Sequence, residues 1–302
     1  MKFSIFQDSA LGARQVNQDR MGYCFSRESL LMIVADGMGG HLRGEVAAQI
    51  AMQTAGAVFQ RMARPALEDP IEFLDHALRS GHREILRYQE LHRMPEAPRT
   101  TVVACLVQGG RAWWAHAGDS RLYWMRGGEL LVRTRDHSKV ESLVAQGLLQ
   151  PHEQEQHPER NKVLNCLGSP FEPTVEISQG VELLPGDSLL LCSDGLWSAL
   201  SDEILCRVMA AAPAMRAVPD LVRQAVAAAG RQSDNVTALG MNWEGADQVA
   251  GTLSSSLLPD GAVTTTIALG QLDAEAAPDL TEDEIERTIR EIRSAIDRTA
   301  GR

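Results

Sequence analysis

The sequence predicts an α+β fold in which antiparallel sheets carry helices on their outer faces. From residue 1 to about 243, short runs rich in Val, Leu and Ile alternate with longer segments of helical period. Several apolar runs follow one another closely across turn signals such as QGG at 108–110 and RGG at 126–128, as in antiparallel hairpins. The helical segments are long insertions between groups of strands, which argues against a regular βαβ alternation.

Each expected element follows from this periodicity. We expect strands over residues 21–26, 30–35, 101–107, 111–117, 121–125, 129–133, 174–181, 188–193 and 236–242. We expect helices over residues 44–63, 70–93, 139–147, 201–211 and 218–230. The polar, irregular stretch 149–165 is expected on the surface as a flap-like excursion.

The composition changes after Trp243, and this divides the chain into three parts. Residues 1–243 are expected to form the folded domain, and residues 244–280, rich in Gly, Ala, Ser and Thr, a weakly ordered linker. Residues 281–302 predict a short amphipathic helix, with an apolar stripe formed by Ile285, Ile289, Ile292 and Ile296. This helix would pack onto its own domain, pair with a second copy or dock onto a partner, and the sequence leaves these alternatives open.

Composition excludes several classes of function. The net charge of −11 over 302 residues argues against nucleic acid or anionic lipid as a ligand, since both need clustered Lys and Arg. The N-terminal apolar run is too short for a signal peptide, and no segment is long and apolar enough for a membrane span, so we expect a cytoplasmic protein. The 5 cysteines include no CxxC pair and are expected to be reduced core thiols.

Aspartates follow or precede the expected strands, often beside glycine or asparagine. They are Asp19, Asp36, Asp119, Asp194 and Asp234. Each alone is explained as a turn residue, because Asp-Gly and Asp-Asn are common turn dipeptides. Brought together at strand ends, however, the carboxylates would repel one another unless cations lay between them. Oxygen ligands without a His/Cys cluster favour Mg²⁺ or Mn²⁺ over zinc.

An ordered series of motifs carries a family resemblance. The series is ARQVNQDR, ADGMGGH, RTTVVA, HAGDSR, RDHS, PGDSLLLCSDGLW and SDNVT. It resembles the bacterial metal-dependent serine/threonine phosphatases of the protein phosphatase 2C family, over about residues 3–243. The resemblance implies a β-sandwich of two antiparallel sheets flanked by helices in αββα layers, with a metal site at one end.

The resemblance also implies roles for individual residues. Asp36 would bridge two Mn²⁺ or Mg²⁺ ions, and the carbonyl of Gly37 would complete one coordination shell. Asp194 and Asp234 would hold the first ion, Asp19 would help to hold the second, and Asp119 would share a third, more weakly held ion with Asp194. Arg14 would bind the phosphoryl oxygens of the substrate, because a guanidinium can bond two of them at once.

The reaction implied by the resemblance is direct hydrolysis of phosphoserine or phosphothreonine in proteins by a metal-bridging hydroxide. The enzyme would oppose a bacterial serine/threonine kinase. Met38 stands where eukaryotic relatives have a histidine, so His41 is a candidate general acid, with a structural histidine or a metal-bound water as alternatives. Arg99 stands where many relatives have glycine, and residues 139–165 align with the flap beside the site.

Two other classes of function fit the sequence less well. A phosphatase-like sensor or scaffold acting through its C-terminal helix would be favoured by loss of metal ligands, and none is lost. A calcium-binding structural domain would need closely spaced acids in one loop, which the sequence does not contain. The expected partners are therefore phosphoprotein substrates, with residues 281–302 as a surface for a partner or for self-association.

Overall fold

In a computed structural model, which describes residues 1–38, 43–244, 253–259 and 261–267, the chain forms two antiparallel sheets with helices outside them. The predicted fold class is therefore confirmed. Residues Met1–Leu269 form one compact unit. A second unit, Gly270–Arg302, contains the expected C-terminal helix 281–302 and lies outside the described residues.

The elements are as follows. The strands are β1 Lys2–Ala10, β2 Asp19–Phe25, β3 Ser29–Met38, β4 Arg99–Thr100, β5 Val102–Gln108, β6 Arg111–Ala117, β7 Arg121–Arg126, β8 Glu129–Arg133, β9 Glu176–Ile177, β10 Val181–Glu182, β11 Ser188–Cys192, β12 Val236–Trp243, β13 Leu253–Ser254 and β14 Thr264–Thr265. The α-helices are α1 Gly44–Met62, α2 Pro70–Leu91, α3 Lys139–Ala145, α4 Asp194–Trp197, α5 Asp202–Ala211 and α6 Ala214–Ala229. Short 3-10 turns occupy Pro151–Gln156, Gly230–Gln232 and Ser255–Leu257.

The two sheets pack face to face. The 6-stranded sheet has the order β13-β1-β12-β11-β7-β8. The 8-stranded sheet has the order β10-β6-β5-β3-β2-β14, and its two remaining strands lie off this path, with β4 paired to β3 and β9 paired to β6. Apolar side chains such as Leu30, Met32, Leu189 and Leu191 fill the space between the sheets. Helices α1 and α2 cover the outer face of the 8-stranded sheet, and α5 and α6 cover that of the 6-stranded sheet. This arrangement leaves one end of the sandwich, where β3 and β11 finish, free to form a site.

Strand β1 was not predicted from the sequence. It pairs along its whole length with β12, from Phe3 opposite Trp243 to Ala10 opposite Val236. Only Phe3 and Ser4 in this strand are fully buried, so the alternation of apolar and polar residues that marks a half-buried strand is weak.

The strand expected over 174–181 is instead two short pieces, β9 and β10. Ser178 holds the chain between them, because its backbone N–H donates to the Trp114 carbonyl (2.9 Å) and its hydroxyl accepts from the Trp114 N–H (2.9 Å). Helix α6 also begins four residues earlier than the expected start at 218.

The expected domain boundary at 243 differs from the structure. β13 adds to β1, and β14 adds to β2, although both strands lie in the stretch expected to be a weakly ordered linker. Ile267 is 2% exposed and packs over Gly22. Residues 253–267 thus belong to the folded unit at their described positions, and their Gly/Ser/Thr-rich composition hid these pairings. The rest of 245–280 lies outside the described residues.

Within the part of the chain that the structure describes, no helix combines the length and apolar character needed to cross a bilayer.

Candidate active site

The strand ends converge on a cavity of about 620 Å³. Its walls carry the side chains of Asp36, Asp119, Asp194 and Asp234, with Arg14 at the same cavity. These residues are far apart in sequence, and the antiparallel sheets bring them together because the relevant strands end on the same side. The structure therefore unites four of the aspartates singled out from the sequence on one surface.

Asp19 lies directly beside Asp36 and behind the cavity wall. The two residues are paired across β2 and β3, and Asp19 is only 5% exposed. The Ser193 hydroxyl donates a 2.7 Å hydrogen bond to Oδ2 of Asp19. The charges of Asp19, Asp194, Asp119 and Asp234 all act on the Asp36 carboxyl. Asp36 is thus the centre of the cluster.

The backbone around Asp36 is held tightly. Its carbonyl accepts hydrogen bonds from the Thr101 N–H (2.9 Å) and the Thr100 hydroxyl (2.8 Å). A Cβ on Gly37 would lie 2.3 Å from the Gly44 carbonyl carbon, so only glycine permits the start of α1 to approach the end of β3. Gly37 itself lines the cavity.

Arg14 is carried by a loop that is bonded to the start of β12. The Asn235 side chain accepts from the Gln18 N–H and donates to the Leu11 carbonyl, both at 2.9 Å. Arg14 Nη2 lies 2.5 Å from Asp234 Oδ2, and the two side chains are 60% and 36% exposed. The guanidinium is therefore placed at the cavity mouth, where it can reach a bound anion.

Asp119 lies in the turn between β6 and β7 and is 5% exposed. The Trp197 indole N–H donates to its carbonyl at 2.9 Å. Arg121 lies over the Trp197 ring, with the guanidinium carbon 3.6 Å from the ring centroid, and pairs with Asp136 through two hydrogen bonds of 2.8 and 2.7 Å. This packing fixes the turn that presents Asp119.

The carboxylates of the cluster repel one another. Burial, together with the neighbouring carboxylates of Asp19, Asp194 and Asp119, raises the pKa of Asp36 well above its usual value. Burial and the charges of Asp234 and Asp19 raise the pKa of Asp194 to about 7. Hard divalent cations would relieve this repulsion and find oxygen ligands ready, so the residues fit Mn²⁺ or Mg²⁺.

Of the described histidines, His137 lies beside the turn that carries Asp119. His41, the candidate general acid, lies outside the described residues. His137 Nδ1 accepts a 2.6 Å hydrogen bond from the Asn165 amide, whose oxygen in turn accepts from the Thr174 N–H at 3.0 Å. The His137 backbone N–H also donates to the Gly118 carbonyl at 2.9 Å. His137 therefore supports the turn before Asp119.

His137, His116 and Glu176 also place possible ligand atoms within 4.8 Å of one another. The two imidazoles are stacked, with centroids 4.5 Å apart and planes 24° from parallel. In-plane lone pairs of nearly parallel rings do not converge on one point, and Nδ1 of His137 already accepts a hydrogen bond. We interpret this cluster as a hydrogen-bonded support rather than a metal site.

Sequence reasoning missed two residues of the site. Glu45, in the first turn of α1, lines the cavity and accepts a 3.2 Å hydrogen bond from the Gln18 side chain. Asn235 orders the loop that carries Arg14, as described above. An acid in the first turn after a glycine-rich strand end was a signal for Glu45, whereas the role of Asn235 depends on contacts across more than 200 residues.

The fold is a helix-flanked β-sandwich with a cluster of carboxylates at one end. This combination is typical of a class of proteins that bind divalent metals through oxygen ligands. Residues 6–228 match the family model described as Protein phosphatase 2C. The chain belongs to the protein phosphatase 2C family.

Curated relatives are bacterial phosphatases. The chain is 35% identical over 231 residues to the serine/threonine protein phosphatase PstP of Mycobacterium tuberculosis, a match that covers 75% of this chain and 42% of PstP. It therefore spans less than half the length of that relative. It is 33% identical over 255 residues to the protein phosphatase PhpP of Streptococcus pneumoniae, covering 82% of this chain and 100% of PhpP.

Among solved structures, the catalytic domain of PstP in complex with two manganese ions is 32% identical. It superposes with a TM-score of 0.68, over 80% of this chain and 98% of that domain. The likeness therefore extends from the sequence to the whole sandwich.

Proposed function

We propose that this chain hydrolyses phosphoserine and phosphothreonine in proteins, with divalent cations held in the aspartate cavity. The observation that carries the proposal is the convergence of buried, mutually repelling carboxylates on one cavity with an exposed arginine at its mouth. The similarity to the serine/threonine protein phosphatase PstP and to the protein phosphatase PhpP supports the same activity.

The residues that would hold the ions are those of the carboxylate cluster, with the roles that the family resemblance implies. Asp36 would help to hold both ions, with the Gly37 carbonyl beside it, since the charges of Asp19 and Asp194 both act on its carboxyl. Asp194 and Asp234 would hold the first ion, and Asp19 the second. Asp119 and Asp194 would hold a third ion together. Burial is the largest cause of the raised pKa of Asp119, and the charge of Asp194 is the next largest. When bound, Mn²⁺ or Mg²⁺ would supply charge neutralisation and a metal-bridging hydroxide.

The chain's own residues would bind and orient the phosphoryl group. Arg14 would bond two of its oxygens, and the ion pair with Asp234 keeps the guanidinium in place before the substrate arrives. Met38 lines the cavity but has no proton to donate. The leaving alkoxide would take its proton from His41 or from water.

The cellular setting is part of the proposal. The enzyme would act in the cytoplasm and oppose a bacterial serine/threonine kinase. The alternative is a phosphatase-like sensor or scaffold that acts through residues 281–302. The carboxylate cluster argues against this alternative. A buried group of like charges lowers stability, and a module without catalysis would gain nothing from keeping it.

Turnover of a phosphothreonine peptide with and without Mn²⁺ tests the proposal. We expect release of phosphate only with the metal, and a loss of at least about a thousandfold in Asp36→Ala and Asp234→Ala. Asp220→Ala, an exposed aspartate on α6, is the matched control and should keep full activity. Metal-independent turnover, or full activity in both site variants, would contradict the mechanism.

A further inference from the structure

A second, smaller cavity of about 350 Å³ adjoins the aspartate cavity. Met38, Asn161 and Val163 line both, so the two are neighbouring parts of one surface depression. A protein substrate with its phosphoryl group in the first cavity would have flanking residues over the second. The second cavity is therefore placed to distinguish substrates by sequence.

Arg99 lines this second cavity, and its backbone is held by strand pairing. It is the first residue of β4 and lies opposite Met38 at the end of β3. The next residue, Thr100, exchanges two backbone hydrogen bonds with Leu167, at 3.2 and 2.9 Å. Arg99 is thus fixed opposite Met38, which lies two residues beyond Asp36 along β3.

The guanidinium of Arg99 has hydrogen-bonding capacity to spare. Its Nε is buried and has no hydrogen-bond partner among the residues that the structure describes. Its Nη2 lies 3.8 Å from Glu96 Oε2, which is beyond hydrogen-bond distance, and the two side chains are 42% and 61% exposed. The partly exposed guanidinium is only loosely paired with Glu96, so its terminal nitrogens can bond an anion at the cavity surface.

Lys162 adds a second positive charge to the same cavity. Its ammonium group donates a 2.9 Å hydrogen bond to Glu159, and its side chain is 56% exposed. Of the charged residues on the cavity wall, Arg99 and Lys162 are cationic and Glu96 is anionic. Because Glu159 already pairs with Lys162, Arg99 is the main positive charge that the cavity offers to a ligand.

We propose that this cavity is a specificity subsite for an acidic side chain of the phosphoprotein substrate. The inference rests on the proposed function. Two residues of strand span about 6.6 Å, so the subsite matches a carboxylate two or three residues from the phosphorylated one in an extended peptide. Arg99 makes the charged contact, and the apolar wall formed by Met38 and Val163 packs against the stem of the acidic side chain.

The test uses the full chain with Mn²⁺ and phosphothreonine peptides that differ at one position. Glu, Gln or Lys is placed two or three residues before or after the phosphothreonine, and kcat/KM is measured for each peptide. For wild type we expect a Glu-to-Gln ratio of roughly three to ten at one of these positions. The ratio cancels any general effect of a variant on the metal centre.

Variants assign the preference to Arg99. In Arg99→Gln the ratio should fall to about one, and in Arg99→Glu the Lys peptide should become the better substrate. Arg99→Lys should keep part of the preference, and Arg223→Gln, an exposed arginine on α6, should keep all of it. A wild-type ratio near one at every position, or an unchanged ratio in Arg99→Gln, would overturn the subsite while leaving phosphatase activity standing. No turnover of any peptide would contradict the proposed function and the subsite with it.

Discussion

Strand β11 has an aspartate at each end, and the two carboxylates are treated in opposite ways. Asp187, just before the strand, accepts hydrogen bonds from Arg126 (2.6 and 2.9 Å), from the Trp124 indole N–H (3.0 Å) and from the Leu184 N–H (3.0 Å). Asp194, just after the strand, faces other carboxylates across the candidate active site.

The pKa values of the two aspartates record this difference. Burial alone would raise the pKa of Asp187, but the bonds from Arg126, Leu184 and Trp124 hold it below its ordinary value. Burial and like charges raise the pKa of Asp194 to about 7. A buried carboxylate with hydrogen-bond donors around it stabilises the fold. A buried carboxylate that faces like charges lowers stability, and this indicates a binding site for a cationic ligand.

The largest expected effect is on stability at the Asp187 end. Asp187→Ala leaves the Trp124 and Leu184 donors without an acceptor, which should lower the free energy of unfolding by about 2 to 3 kcal/mol. Urea denaturation followed by circular dichroism measures this loss. Phosphatase activity per folded molecule should stay at the wild-type level, and a change below about 0.5 kcal/mol would show that Asp187 is not structural.

An arginine lies near each end of β11: Arg14 at the active-site end and Arg126 beside Asp187. Substituting each one tests whether the two ends differ in function. Arg14→Gln should lower kcat/KM for a phosphopeptide about ten- to a hundredfold, since hydrogen bonds to charged groups are worth roughly 1.5–3 kcal/mol. Its exposed ion pair should contribute less than about 1 kcal/mol to stability. Arg126→Gln should show the reverse pattern in parallel assays, with stability lost and activity kept. Equal kcat/KM values for Arg14→Gln and Arg126→Gln would show that Arg14 does not bind the phosphoryl group.

A smaller effect, of opposite sign to that of Asp187, is expected at the Asp194 end. With EDTA present, Asp194→Asn removes one of several repelling charges and should stabilise the protein by about 1 to 2 kcal/mol at pH 8. Differential scanning calorimetry measures the shift in Tm. The same variant should lose most of the stabilisation that Mn²⁺ gives to wild type. A lower Tm in EDTA would mean that the cluster is not under repulsion.

The pH dependence gives the finest distinction. The pKa of Asp194 is raised in the folded state, so its penalty is complete above about pH 7 and disappears as the pH falls towards the unfolded value. The advantage of Asp194→Asn in EDTA should therefore shrink between pH 8 and pH 5. The pKa of Asp187 is lowered in the folded state, so its contribution is present at neutral pH and is lost only in acid. Tm scans from pH 8 down to about pH 3, with Asp187→Ala and Asp194→Asn, would show whether either pH dependence has the opposite sign.

Much of this site could be predicted from sequence because its chemistry is local. Asp36 and Asp194 each follow an apolar strand and precede a glycine, and that pattern is visible without coordinates. The fold class was predictable for the same reason, since hairpin turns and helical periods are short-range signals.

What could not be predicted depends on distant contacts. Glu45 joins the cavity only because α1 packs against β3, and Arg99 becomes a subsite residue only through its pairing with Met38. β13 and β14 have two residues each, too short for any periodic signal, and exist because they extend the edges of existing sheets.

Calorimetric titration of the metal-free chain with Mn²⁺ tests most directly whether the aspartate cavity is a metal centre. We expect two Mn²⁺ ions bound per wild-type chain and a third at higher concentration. The tight sites should be lost in Asp36→Asn and kept in the control variant Asp187→Asn. Absence of Mn²⁺ and Mg²⁺ binding by wild type, or unchanged binding in Asp36→Asn, would contradict this expectation.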